Sequence, residues 1–235
     1  MHALLISNST MAGEPFLQYS KPEIGRFLQG KNNVVFVPYA NVSMSYDDYE
    51  TKINECLATV NVQVKSIHRF ADPKAAVASA DAIMVSGGNT WFLTHELNRL
   101  GLMQVIRQAV QNGAYYVGWS AGAVIASPTM QTTNDMPIID PQGMLSLALV
   151  PFQINPHYTD GVIPNHGGET RAVRISEFVS VNQNATVVGL PEGCMFLRNG
   201  LELKYIGNRS AKIFKYGKDA EEIPAKSNFN FLLNL

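Results

Sequence analysis

The chain is poor in cysteine. Two thiols, Cys56 and Cys194, stand far apart among 235 residues. They form neither a CxxC pair nor a disulfide framework, so a stapled secreted scaffold is excluded and a reducing compartment, the cytoplasm, is expected. Long hydrophobic runs are missing too. No stretch approaches the about 18 apolar residues of a membrane-spanning helix. The opening Met1-His2-Ala3-Leu4-Leu5-Ile6-Ser7 lacks a basic n-region and reads as a first strand, not a signal peptide. Charge of neither sign prevails. Eighteen Lys and Arg oppose nineteen Asp and Glu, for a net charge of −1, which excludes a broad basic face for nucleic acid or anionic membrane. Only 16% of residues are charged, so little polar surface is available to cover the outside, and a homodimer is expected. What is abundant is apolar: 46% of residues, enough for a large core and incompatible with wholesale disorder. With no internal repeat and no low-complexity linker, one domain over residues 1–235 is expected.

Short apolar runs alternate with helical patterns. Strands are expected at 3–7, 34–38, 62–67, 82–85 and 115–118. Helices are expected at 16–28, from Tyr46 to Val60 behind a capping Ser45, at 73–79, and at 91–112 with a break at Gly101. The strands are apolar throughout, as a sheet covered on both faces requires. Strand–helix–strand alternation over residues 1–125 predicts a mostly parallel α/β sheet with helices on both faces. The second half is less regular. It offers a strand at 153–155, a helix at 170–181 and a strand at 186–190. Three short strands at 196–197, 202–206 and 212–216 follow as an antiparallel extension, with Gly207-Asn208 as the last turn.

In open α/β sheets, ligands gather outside the carboxyl ends of the strands. Four expected strand ends carry suitable residues: Gly87-Gly88-Asn89-Thr90, Ser120-Ala121-Gly122, Asn155-Pro156-His157 and Pro191-Glu192-Gly193. Gly118-Trp119-Ser120-Ala121-Gly122 fits G-x-S-x-G at a strand-to-helix junction, a pattern that puts a serine on a tight turn with its hydroxyl exposed. The plainer reading is a glycine-rich turn with a capping serine. At the helix start, the N–H of Ala121 can face an oxyanion. A serine nucleophile needs a base. Five histidines are available. His2 lies in the first strand, His68 beside Arg69 and Phe70, His95 inside a helix and His166 in a glycine-rich loop. Only His157 directly follows a strand of the second half, so it is the candidate base. The base in turn needs a carboxylate to hold its tautomer. Glu192, ending a strand, competes with Asp135, in Thr132-Thr133-Asn134-Asp135-Met136-Pro137. Residue type does not choose between them, and both can serve, one orienting the histidine and the other ordering the loop. The Gly87-Gly88 turn lacks the lysine of a P-loop and the G-x-G-x-x-G spacing. Its Gly88 N–H is better used as the second oxyanion donor, with Asn89 as a candidate substrate contact. There is no H-E-x-x-H, and His166-Gly167-Gly168-Glu169 offers no helical face for two ligands, so no metal site is expected.

Six motifs, in order, resemble the peptidase E family of serine peptidases, the bacterial α-aspartyl dipeptidases. They are Ser86-Gly87-Gly88-Asn89-Thr90, Gly118-Trp119-Ser120-Ala121-Gly122-Ala123, Thr132-Thr133-Asn134-Asp135-Met136-Pro137, Ile154-Asn155-Pro156-His157, Gly168-Glu169-Thr170-Arg171 and Gly189-Leu190-Pro191-Glu192-Gly193. The resemblance runs from Ser7-Asn8-Ser9-Thr10 to about Asn208. It implies a fold similar to class I glutamine amidotransferases, with a serine in place of their cysteine. It further implies cleavage of dipeptides bearing an N-terminal aspartate, in the cytoplasm, without metal or cofactor. By motif, Ser120 would be the nucleophile and His157 the base. Asp135 or Glu192 would be the third member, for the family pattern contains both, and Gly88 and Ala121 the oxyanion donors. Aspartate selectivity calls for a cation, and Arg171 is the candidate. Two other readings stand beside this one: a cyanophycinase-like or other acyl hydrolase on the same triad, and a non-catalytic binding protein on the same fold. The apolar end, Phe229 to Leu235, is expected to pack on the body or to pair with another subunit's sheet edge.

Overall fold

The chain alternates from its start: β1 (His2–Ile6), α1 (Lys21–Phe27), β2 (Val34–Val37), α2 (Tyr46–Leu57), β3 (Lys65–Ser66), α3 (Pro73–Ala78), β4 (Ala82–Val85), α4 (Thr90–Arg99), α5 (Leu102–Gln111), β5 (Tyr115–Trp119) and α6 (Ala121–Val124). It continues with β6 (Gln153–Tyr158), α7 (Arg171–Val181), β7 (Thr186–Pro191), β8 (Met195–Asn199), β9 (Glu202–Ile206), β10 (Ala211–Lys215) and β11 (Glu221–Ile223). The structure, a computed structural model, describes residues 1–161 and 167–235. Among the described residues the strands form two sheets. One has seven strands in the order β3-β2-β4-β5-β1-β8-β9, the other four in the order β11-β10-β7-β6.

The uniformly apolar strands have the cause the sequence suggested. Leu5, Val35, Val37, Ile83 and Val85 point to one face of the large sheet, where α4 and α5 bring Leu93, Leu97, Ile106 and Val110. Their neighbours Leu4, Ile6, Val34, Phe36, Ala82 and Met84 point to the other, against Ile24 of α1 and Tyr49, Ile53 and Leu57 of α2. A strand with period-two alternation and both faces covered has no polar side. The five strands from β3 to β1 are parallel. Their carboxyl ends therefore share one edge. Ser45 caps α2 by accepting from the Asp48 N–H at 3.1 Å. Gly101, at φ +63°, divides α4 from α5.

Four expectations need correcting. The helix expected at 16–28 is only Lys21–Phe27. Leu17 has φ +55°, and Pro22 stands in the first turn of α1. A helix begun at residue 16 would drive that ring into the carbonyl of residue 18. The strand expected at 62–67 pairs only at Lys65–Ser66. Asn54 binds both backbone groups of Val64, at 2.8 and 3.1 Å, and so replaces a ladder partner. The strand at 153–155 runs on through an irregularity to Tyr158. The C-terminal strands divide between the sheets. β8 and β9 close the edge beside β1, but β10 pairs with β7 and β11. Gly207-Asn208 is thus a crossing between sheets, not a hairpin turn.

The chain end takes the place beside β9. Leu203 donates its N–H to Asn230 Oδ1 at 2.7 Å. The Phe229 ring, fully buried, stacks on Tyr205 at 4.7 Å and meets Phe196 edge-on at 5.5 Å. Of the two uses expected for the apolar tail, packing on the body is the one observed. Replacing Phe229 by alanine removes a closed aromatic cluster, and is expected to cost about 3–5 kcal/mol in urea unfolding.

Candidate active site

Ser120 directly follows β5, at the N-cap of α6, with φ +50° and ψ −111°. That conformation is unfavourable for an L-residue, and the surroundings impose it. Its N–H donates to Ile6 O at 3.0 Å, joining the turn to β1. Gly122 packs so tightly that a Cβ would sit 2.4 Å from Val85 O, and Tyr116 donates its hydroxyl to Gly122 O at 2.6 Å. A side chain at 122 would push the turn off β4. Gly88 meets the second demand on a glycine. At φ +141°, its Cβ would lie 2.2 Å from Ala40 O. Neither Gly88 N nor Ala121 N has an acceptor among the described residues. A Cβ on Gly87 would lie 3.1 Å from Ser120 Cβ, so the turn preceding α4 lies against the serine.

His157 reaches the same place from the other sheet. β6 and β7 pair in parallel register up to Pro156 with Leu190, then skip, so that Tyr158 faces Pro191. His157 is the extra residue, with φ +54°. A bulge of this kind re-aims one side chain out of the strand's alternation. The imidazole Nε2 lies 3.0 Å from Ser120 Oγ, and Nδ1 lies 2.8 Å from Glu192 Oε1. Serine, histidine and glutamate thus form one hydrogen-bonded line across three strand ends.

The two competing carboxylates are separated by this geometry. Glu192 meets the histidine. Asp135 lies at the start of α4, where its Oδ2 accepts from Thr90 N at 2.8 Å and from the Thr90 and Thr133 hydroxyls at 2.5 and 2.9 Å. Asn89 departs from its expected use as a substrate contact. Its Oδ1 caps α4 through Phe92 N at 3.0 Å, and its Nδ2 donates to Met136 O at 2.9 Å, so both ends of the amide serve the loop. Arg171 opens α7 behind the capping Thr170 and is half-buried. Burial and the neighbouring Arg174 pull its pKa down, while Asp135 and Tyr158 push it up. Its Nη1 is buried with no hydrogen-bond partner among the described residues.

The remaining histidines have structural surroundings. His2 stacks on Tyr115 at 4.5 Å. His68 lies between Ser66 Oγ and Asp47 Oδ1, at 2.7 and 2.8 Å. His95 Nδ1 binds Asp140 O at 2.7 Å. His166 lies outside the described residues.

Three side chains escaped the reading of the sequence. Ser7, fully buried after β1, donates to Leu190 O at 2.8 Å and accepts from His157 N at 2.9 Å. One hydroxyl thereby satisfies both backbone groups that the bulge frees. Asn8 Oδ1 accepts from Gly193 N at 2.9 Å and from the Tyr19 hydroxyl at 2.7 Å, which fixes the turn after Glu192. Burial pushes the Tyr19 phenol well above its ordinary pKa, so it remains a donor. The available signal was position: Ser7-Asn8-Ser9-Thr10 is a polar run at the carboxyl end of a parallel strand.

A serine on a constrained strand-to-helix turn, bonded to an imidazole that a carboxylate orients, makes this α/β molecule a hydrolase of the serine class. The chain belongs to peptidase family S51, whose family model matches residues 3–206, and it is a serine peptidase. It is 45% identical over 233 residues to peptidase E of Shewanella amazonensis, covering 99% of each chain. Against peptidase E of Salmonella typhimurium the identity is 44% over 229 residues, 97% of this chain and 100% of the relative. The fold is similar to the crystal structure of a peptidase from an acI-B1 actinobacterium, with a TM-score of 0.66 at 18% identity, covering 97% and 96% of the two chains.

Removing the Ser7 hydroxyl leaves His157 N and Leu190 O unpaired. Ser7→Ala is expected to lose about 1–3 kcal/mol of stability. With the imidazole displaced, kcat should fall by ~10²-fold at nearly constant KM. Urea unfolding and steady-state kinetics on the same preparation check both.

Proposed function

We propose that this peptidase hydrolyses dipeptides with an N-terminal aspartate through an acyl-enzyme. The observation that carries the substrate reading is the Arg171 guanidinium. A half-buried cation with one buried N–H group unpaired is suited to a carboxylate, and a planar fork–carboxylate pair discriminates strongly against uncharged side chains. The resemblance to α-aspartyl dipeptidases and the full-length likeness to peptidase E relatives point the same way.

The chemistry follows from the distances. His157 Nε2, 3.0 Å from Ser120 Oγ, takes the hydroxyl proton as the oxygen attacks the peptide carbonyl. Glu192 keeps the Nδ1 proton in place and stabilises the imidazolium that forms. The Gly88 and Ala121 N–H groups receive the developing oxyanion. His157 then gives its proton to the leaving amine, and the C–N bond breaks. Water, deprotonated by the same imidazole, attacks the aspartyl ester and releases Ser120. Asp135 has no part in this proton path, because its carboxylate is tied to Thr90 and Thr133. The same reading places the reaction in the cytoplasm, in keeping with two free thiols.

Ser120→Ala is expected to fold normally and to lose at least ~10³-fold in kcat. Glu192→Gln should lose about 10²–10⁴-fold, because the amide can no longer stabilise the imidazolium. Arg171→Ala should lower kcat/KM on Asp-Leu by ~10²-fold or more while leaving the melting temperature nearly unchanged. Equal kcat/KM on Asp-Leu in variant and parent would remove Arg171 from substrate selection, and a panel with Glu-Leu, Asn-Leu and Leu-Leu measures the selectivity itself.

A further inference from the structure

Glu192 is aimed by its backbone. Its carboxylate bonds to His157 Nδ1 and to no other group among the described residues, and its side chain is 41% exposed. Nothing around the side chain fixes its direction, so the chain on either side of it must. That chain is gripped by the end of β1. Ser7 Oγ donates to Leu190 O at 2.8 Å, and Ser7 N donates to Cys194 O at 3.0 Å. Gly193 N, directly after Glu192, donates to Asn8 Oδ1 at 2.9 Å.

Asn8 can grip because it is itself held. It is fully buried, and its amide has two donors and two acceptor sites, all of them used. Nδ2 donates to Thr10 O at 2.9 Å and to Met11 Sδ at 3.2 Å. Oδ1 accepts from Gly193 N and, at 2.7 Å, from the Tyr19 hydroxyl. The same hydroxyl lies 2.7 Å from Asn8 O, so one proton serves both the side chain and the backbone of Asn8. Tyr19 reaches this place from a separate turn. Leu17, at φ +55°, donates its N–H to Ser9 O at 2.6 Å and closes the loop, and Tyr19 stands two residues before α1. Burial keeps the phenol protonated, and the Glu192 charge is near enough to act in the same direction.

A phenylalanine would fill the same space as Tyr19. The hydroxyl adds only its bonds to Asn8, and from Asn8 the next bond leads to Gly193. The geometry points to Tyr19 as a positioning residue of the reaction: its hydroxyl locks the Asn8 amide, Asn8 fixes the Gly193 peptide, and that peptide aims the Glu192 carboxylate at His157. This role rests on the proton path through Glu192 proposed above, and is indifferent to which residue the substrate begins with. Without the hydroxyl, Asn8 Oδ1 keeps one donor of two, and the amide is free to shift. A shift at Gly193 is passed to a carboxylate at the end of a flexible side chain. Misplacement by about 1 Å, even when it arises far from the chemistry, is enough to slow an enzyme markedly.

A double-mutant cycle of Tyr19→Phe and Glu192→Ala tests the role. It is run on whichever dipeptide of the panel above the parent cleaves fastest, so a failure of the aspartyl reading leaves the cycle intact. Tyr19→Phe alone is expected to lower kcat by about 10-fold with KM within about twofold of the parent, the mark of an interaction felt in the transition state. In the Glu192→Ala background the same substitution should change kcat by less than about twofold, because the group it positions is gone. A residue that serves loop stability alone would lower kcat by the same factor in both backgrounds, and that result overturns the proposal. Parent kcat in Tyr19→Phe overturns it as well. Parent kcat in Glu192→Ala would instead defeat the proton path, and this role with it. If circular dichroism shows Tyr19→Phe to be poorly folded, Asn8→Ser, whose side chain is too short to reach Gly193 N, takes its place in the cycle under the same criteria.

Discussion

Ser120 and His157 belong to different sheets, and the candidate site depends on the contact that joins them. Ser120 hangs from the end of β5 and His157 from β6, and the imidazole meets the hydroxyl at 3.0 Å. Regular pairing of β6 with β7 would not aim the imidazole there. The bulge adds one residue, turns the backbone to positive φ and frees two backbone groups. Ser7, from a third strand, binds both. The conformation is costly by itself and is retained because β1, β6 and β7 hold it jointly, as strained residues at functional sites require.

The same crowding divides labour between the carboxylates. Glu192 follows β7, the immediate neighbour of β6, and so arrives beside the far nitrogen of His157. Asp135 comes from a long connection after α6 and is held at the opening of α4, where negative charge is favoured by the unpaired N–H groups of a helix start. One carboxylate faces an imidazole and the other a pair of threonines, so the two cannot exchange roles without moving strands.

Much of the large sheet was legible because its signals are local. Apolar runs such as Val34-Val35-Phe36-Val37, the Ser45 cap and the break at Gly101 each act within a few residues. The G-x-S-x-G turn was legible for the same reason: Gly122 beside Val85 is a steric demand on one residue type. The misjudged elements are those whose outcome rests on distant partners. Val62 and Val64 carry strand-like side chains, but Asn54 of α2 binds the backbone there. Residues 212–216 read as the third strand of a meander. Phe229 and Asn230 instead cover β9, and β7 offers the open edge.

Residue type and order alone determined which groups exist to do chemistry: a hydroxyl on a glycine-flanked turn, a histidine after a strand, two carboxylates and one arginine. They determined too that the first half would be a parallel sheet whose strand tips share an edge, since side-chain alternation and turn sterics operate over a few bonds. Tertiary structure decided which carboxylate touches the imidazole, that Asn89 serves its own loop, and that Ser7 ties His157 to Leu190. Those choices depend on distances between atoms more than 30 residues apart in the chain, Ser120 to His157 and His157 to Glu192 among them. Strand pairing across the chain and the packing of one sheet against the other set such distances.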